Sequence, residues 1–217
     1  MKNKPEVRMI SVDMAEMRVE EGSEGPKITG YAAVFNRKSQ DLGGFHEVIR
    51  PGAFRKAIQK ADIRALFNHD PNYVLGRLQS GTLTLEENTK GLKYEVTPPD
   101  SQLIRDMVIE PIKRGDIDGC SFSFMVSGDG EKWQEQSDGL MLREVLEISD
   151  MRDVGPVTYP AYLNTSVNVR SAQDVYQEYL NSQQALGLSE AKARAQRALA
   201  KRKSFRVKEL KKITEVI

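Results

Sequence analysis

The sequence predicts an α+β fold built mainly from antiparallel strands with a few packed helices, followed by a helical C-terminal extension. Three observations carry that prediction. Short apolar segments, several alternating apolar with polar residues, recur between clusters of Gly, Pro, Asn and Asp. Helical spacing within the first part of the chain is confined to short stretches after Pro51 and Pro99. From Ser171 onward the chain becomes polar, helix-favouring and basic. The expected organisation is one domain over residues 1–171 and an extension over 172–217.

Taken in order, residues 5–20 alternate loosely through Val7, Met9, Ile10, Val12 and Met14 and are read as a first strand. Residues 21–26 (EGSEGP) form a turn by composition. Ile28 to Phe35 returns as the second strand of a hairpin, and residues 36–44 are a polar loop. Phe45 to Ile49 is a short strand. Pro51 opens a short helix with Phe54, Ala57 and Ile58 on one side. Residues 62–67 (DIRALF) make a compact strand that ends in the turn cluster Asn68-His69-Asp70-Pro71-Asn72. Val74–Arg77, Gly81–Leu85 and Gly91–Val96 continue the sheet, the last two pairing across residues 86–90.

Ser101 caps a helix whose apolar side is Leu103, Ile104, Met107 and Val108; Pro111 distorts its end and Gly115 terminates it. Residues 119–126 (GCSFSFMV) then form a strand with Ser121 and Ser123 on one face and Phe122 and Phe124 on the other. Residues 127–139 are expected to be a polar loop carrying Trp133, the sole tryptophan. Residues 140–148 form a strand. Residues 153–162 form another extended piece, with Pro156 and Pro160 pointing to a sheet edge or bends. Ser171 with Asp174 resembles a capping box; Gly187 is expected to break the helix that follows, and Ser189 to cap a second, basic one.

Bulk properties narrow the function classes. The 217 residues, 39% hydrophobic and 29% charged, suit one domain plus an appendage, and the mean hydropathy of −0.51 reflects the polar extension. No apolar run approaches the ~20 residues of a membrane helix, and the opening MKNKPEVRMI lacks the apolar segment of a signal peptide. Cys120 is the only cysteine, which excludes an internal disulfide and a cysteine-based zinc site, and the chain is placed in a reducing cytoplasm. The net charge of +1 conceals an asymmetry. Residues 189–217 carry 10 basic and 3 acidic side chains, a net +7, while the first 188 carry 22 basic and 28 acidic, a net −6.

A serine face on a buried strand needs partners for its hydroxyls. They bond across to neighbouring strands or meet water, or one serine is a nucleophile beside a base. Ser-His chemistry needs an imidazole within about 2.6–3.2 Å of the hydroxyl and a third group fixing the tautomer. The chain offers two histidines, His69 in a turn after an apolar strand and His46 in a polar segment. Glu144, Glu147, Asp150 and Asp153 are candidates for the third group, and spacing does not choose among them. Two histidines without a cysteine cluster do not make a zinc site, and no cofactor is expected.

The ordered set Gly30-Tyr31-Ala32-Ala33-Val34-Phe35-Asn36, Pro51-Gly52-Ala53-Phe54, Leu66-Phe67-Asn68-His69-Asp70, Leu75-Gly76-Arg77, Arg114-Gly115-Asp116-Ile117, Ser121-Phe122-Ser123-Phe124 and residues 153–162 (DVGPVTYPAY) resembles the HK97-type prohead (capsid maturation) serine proteases of tailed bacteriophages. The resemblance covers about residues 5–171. It implies a serine endopeptidase related in fold to herpesvirus assemblin, a β-barrel with packed helices. It places the general base on His69, the nucleophile on Ser121, with Ser123 the second choice, and the acidic partner on Asp153. Gly155 stands where the family commonly has serine. Cys120, turned away from Ser121 by alternation, is read as a core filler.

The resemblance further implies cleavage of the scaffolding portion of the major capsid protein inside the prohead, within the host cytoplasm, and self-cleavage. The capsid protein and its scaffolding segment are then the partners; a homodimer follows only by analogy with assemblin. The tail suits a targeting or self-cleaved segment. Binding of nucleic acid is not expected, because the last 29 residues hold one aromatic, Phe205. The alternative is a non-catalytic scaffold or structural head protein with the same fold.

Overall fold

Alternation of polar and apolar side chains sets most of the strands in the computed structural model, which describes residues 4–10, 12–23, 25–159 and 171–214. The order is β1 (Glu6–Ile10), α1 (Val12–Ala15), β2 (Arg18–Gly22), β3 (Gly25–Val34), β4 (Phe45–Ile49), α2 (Arg55–Lys60), β5 (Arg64–Leu66), β6 (Val74–Arg77), β7 (Leu83–Glu87) and β8 (Gly91–Val96). There follow α3 (Gln102–Ile104), a π-helical turn (Arg105–Ile109), α4 (Glu110–Arg114), β9 (Gly119–Val126), β10 (Glu131–Glu135), β11 (Met141–Val145), β12 (Ile148–Val157) and α5 (Ala172–Thr214). The chain divides into two compact units, Met1–Gln173 and Asp174–Ile217.

The described strands form three sheets: β1-β9-β12-β5-β6, β10-β11-β4 and β2-β3-β8-β7. Pairing is mostly antiparallel; β12 with β5 and β11 with β4 are parallel. The fold is therefore α+β with a strand majority. The ladders do not close into a barrel among the described residues. All three sheets contribute to one apolar core, in which Phe54 packs edge-on against Phe122 with centroids 5.5 Å apart, and Phe122 stacks on Phe124 at 4.9 Å.

Four expectations are corrected. Residues 5–20 are not one strand: β1 joins β9, α1 intervenes, and β2 pairs with β3. Ala15, fully buried, and the positive φ of Glu16 turn the chain between the two sheets. The segment with Trp133 is not a loop but β10, because the indole packs on Phe45 at 5.1 Å and the segment pairs with β11. Pro156 is not at a sheet edge. β12 lies between β9 and β5, but β5 pairs only with Asp153 and Val154, so Pro156 breaks no bond on that side. Finally, Gly187 does not break the last helix, and Ser189 caps nothing: α5 is continuous. A glycine costs about 1 kcal/mol in a helix, which the helix-favouring Gln, Ala, Glu, Lys and Arg around it carry.

Other local signals act as the sequence indicates. The Ser101 hydroxyl accepts from the Ile104 N–H at 3.3 Å, capping α3. Pro111 cannot supply an N–H, and the turn before it widens so that Glu110 bonds the carbonyl of Arg105 five residues back. Gly115 ends α4 at φ +80°.

Candidate active site

Two neighbouring strands and one turn converge. β9 carries Ser121, β12 carries Asp153, and the turn after β5 carries His69. β9 and β12 are antiparallel, with Asp153 opposite Ser123 and Gly155 opposite Ser121. Simple alternation would not put Asp153 there. Counting from the pair Met151–Phe124, the next opposed pair would be Arg152–Ser123, and Asp153 would face the phenylalanine side. An irregularity between Met151 and Asp153 adds one residue to β12, the exposed Arg152, and turns the Asp153 carboxylate to the serine face.

The residues around His69 divide the labour of the turn. Asn68 and His69 both adopt the left-handed region, at φ +54° and +57°, a conformation in which Asn and His are over-represented among non-glycine residues. Asn68 clamps the turn to the end of β12: its Oδ1 accepts from the Thr158 N–H at 2.9 Å, its Nδ2 donates to Thr158 Oγ1 at 3.2 Å, and its own N–H donates to the Pro156 carbonyl at 3.0 Å. Asp70 closes the far side by accepting from the Asn72 N–H at 2.8 Å. Between these anchors His69 presents its ring.

The imidazole joins the other two groups. Nδ1 bonds Asp153 Oδ1 at short range, and Nε2 lies 2.7 Å from Ser121 Oγ. A carboxylate accepts the Nδ1 proton, which leaves Nε2 as the acceptor for the serine hydroxyl. Both ring nitrogens are then occupied, and Ser123 has no bond to the ring. The site is secluded: Ser121 is fully buried, and the side chains of His69 and Asp153 are 15% and 12% exposed.

Gly155 makes the approach of the strands feasible. A Cβ there would stand 2.2 Å from the Leu66 carbonyl oxygen. The absence of a side chain lets β12 press against the end of β5, from which the chain enters the His69 turn.

The remaining candidates fall elsewhere. His46 lies on β4 with Nδ1 on the Ser39 carbonyl at 2.8 Å. Glu144 pairs with Arg50 and Glu147 with Lys56; Asp150 is on β12, opposite Met125. Cys120 is fully buried, and burial pushes its thiol up to about 12. The end of the motif, residues 160–162, lies outside the described residues. Sequence reasoning missed the Asn68 clamp and the main-chain carbonyl of Arg8, which accepts from Ser121 Oγ at 3.0 Å. Asn68 directly before His69 was a legible signal for the first; a backbone acceptor leaves none.

A hydroxyl, an imidazole and a carboxylate linked in that order form an arrangement able to carry acyl transfer. The model of the caudovirus prohead serine proteases matches residues 13–179, and the chain belongs to that family of serine peptidases. No curated protein and no solved structure matches it. Among the described residues no helix is long and apolar enough to cross a membrane.

Proposed function

We propose that the chain is the serine endopeptidase of phage head maturation that cuts the scaffolding portion of the major capsid protein inside the prohead, and cuts itself, with Ser121 as nucleophile, His69 as general base and Asp153 as its orienting carboxylate. The observation that supports these roles most directly is the unbroken hydrogen-bond chain from Asp153 through His69 to Ser121. An assemblin-like wrapping of the sheets belongs to the same reading and is supported by their shared core.

In the first half-reaction Ser121 Oγ attacks the scissile carbonyl carbon while its proton passes to His69 Nε2. Asp153 stabilises the imidazolium without taking the proton. Collapse of the tetrahedral intermediate breaks the C–N bond, and the Nε2 proton goes to the leaving amine. Water then enters, gives its proton to Nε2 and releases the acyl group; the proton returns to Oγ.

The test is intact-mass spectrometry of the chain co-expressed with its own capsid protein, with Ser121→Ala alongside. Wild type shortens both proteins, and Ser121→Ala leaves both at full mass. Cleavage by both versions would transfer the role to Ser123 or to a host enzyme. Full-mass proteins from both, in proheads that contain the chain, would favour the structural head protein.

A further inference from the structure

Away from the serine face, five charged side chains from four strands are packed together: Glu6 and Arg8 on β1, Glu47 on β4, Glu131 on β10 and Arg143 on β11. Arg143 is 1% exposed, Glu6 2% and Glu47 4%. Arg143 Nη1 donates to Glu6 Oε2 at 2.5 Å and Glu47 Oε2 at 2.7 Å; Nη2 donates to Glu6 Oε1 at 2.9 Å, and Nε to Glu131 Oε2 at 2.6 Å. Arg8 forks onto the same Glu47, with Nε on Oε1 at 2.8 Å and Nη2 on Oε2 at 3.1 Å, and Nη2 also reaches Glu6 Oε2 at 2.9 Å. Burial works to lower the Arg143 pKa, but Glu6, Glu47 and Glu131 outweigh it and hold it above the ordinary value. Removing Arg143, Glu6 or Glu47 strands a charge out of water. The network therefore pins β1, an edge strand of the five-stranded sheet, to the three-stranded sheet.

Arg8 is tied at both ends. Its guanidinium is locked in the network, while its main-chain carbonyl accepts from Ser121 Oγ on the adjacent β9. We infer that Arg8, held by Glu6 and Glu47, which Arg143 anchors in turn, is a positioning residue whose carbonyl fixes the Ser121 hydroxyl in the rotamer that faces His69. This rests on the protease reading, and β1 lies outside the residues matched to the family. The hydroxyl has one proton and two acceptors, Nε2 at 2.7 Å and the Arg8 carbonyl at 3.0 Å. With Nε2 free, the proton is shared in a three-centre bond between Nε2 and the Arg8 carbonyl, which holds Oγ in line with the ring. With Nε2 protonated, the ring donates to Oγ and the hydroxyl proton turns to Arg8. Oγ stays between the same two groups in both states, so the side chain does not drift among its staggered wells.

The experiment follows labelling of the full chain by a fluorophosphonate, with the site assigned by peptide mapping and kinact separated from KI. Arg8→Met keeps an apolar stem over the Phe124 ring, where the guanidinium now sits at 5.7 Å, and removes the fork. The expected result is a fall in kinact of about tenfold at unchanged KI, with Arg8→Lys recovering most of it. Installing the α-hydroxy analogue of methionine at position 9 turns the Arg8–Met9 amide into an ester. Every side chain stays in place while the Arg8 carbonyl becomes a weaker acceptor, and kinact falls likewise; an ester between Glu6 and Val7 is the control. If Arg8→Met does not fold, the ester protein decides alone. Wild-type kinact in the ester protein, or in a folded Arg8→Met, overturns the inference. Absence of label on wild-type Ser121 both in the isolated chain and in proheads assembled with its own capsid protein overturns the protease reading, and this inference with it.

Discussion

Replacing Gly155 by alanine adds one methyl group at the tightest point of the site. The new Cβ would lie 2.2 Å from the Leu66 carbonyl oxygen, 3.1 Å from its carbon and 3.2 Å from its nitrogen. Carbon and oxygen approach ordinarily to about 3.3 Å, so β12 and the end of β5 have to separate by roughly 1 Å. The obstruction is backbone, which cannot rotate away as a side chain would. The strain of such overpacking is about 1–3 kcal/mol. The functional loss is larger than the stability loss implies, because the separated strands hold the two halves of the site: Asp153 on β12, and His69 three residues beyond Leu66 on the turn that Asn68 clamps to Pro156 and Thr158. A misplacement of 1 Å costs on the order of 100-fold in rate. The assay is the fluorophosphonate labelling rate of Ser121, with thermal unfolding in parallel. The expected outcome is a folded protein that melts lower and labels about 100-fold more slowly. Gly155→Ser carries the same Cβ and behaves the same way. Wild-type labelling by a folded Gly155→Ala protein would refute the reasoning.

The remaining predictions concern the turn and the buried thiol. Asn68→Ala removes both side-chain bonds to Thr158 and leaves alanine in the left-handed region; labelling of Ser121 should slow by roughly 10- to 100-fold, and Thr158→Val, which keeps the main-chain bond, should slow it less. Cys120, with its thiol pushed up to about 12 from a starting value of 9.0, should resist maleimide in the native protein at neutral pH and react on unfolding. Between those two values the unfolded chain has released the thiol proton while the folded chain keeps it, so folded stability falls as pH rises. Wild type should therefore lose more melting temperature than Cys120→Ala between pH 9 and pH 11, and equal losses would contradict the assignment.

Much of the fold was legible because it follows from local chemistry. The alternation of serine and phenylalanine in residues 119–126 declares a strand with two unlike faces, and the paired runs around residues 86–90 declare a hairpin; neither depends on distant residues. The Ser101 cap, the Pro111 distortion and the Gly115 stop are likewise written in neighbouring positions. Where reading failed, a distant contact outweighed the local pattern. Trp133 sits among polar residues that look like a loop, and the ring of Phe45, far away in sequence, together with the ladder to β11 makes that segment a strand. Gly187 looks like a break, yet strong helix formers on either side run through it.

The same division runs through the site. The sequence by itself narrowed the chemistry to Ser121 or Ser123, His69 or His46 and a few carboxylates, and the resemblance of its short motifs to a family singled out Ser121, His69 and Asp153. Tertiary structure decided which of them meet. One added residue near Arg152 turns Asp153 to the serine face, the missing side chain of Gly155 lets the strands close, and the imidazole reaches Ser121 rather than Ser123. It also supplied the Arg8 carbonyl and the buried ions behind it. Backbone acceptors carry no residue identity, and charges spread over β1, β4, β10 and β11 become one network only when folding brings them together out of water.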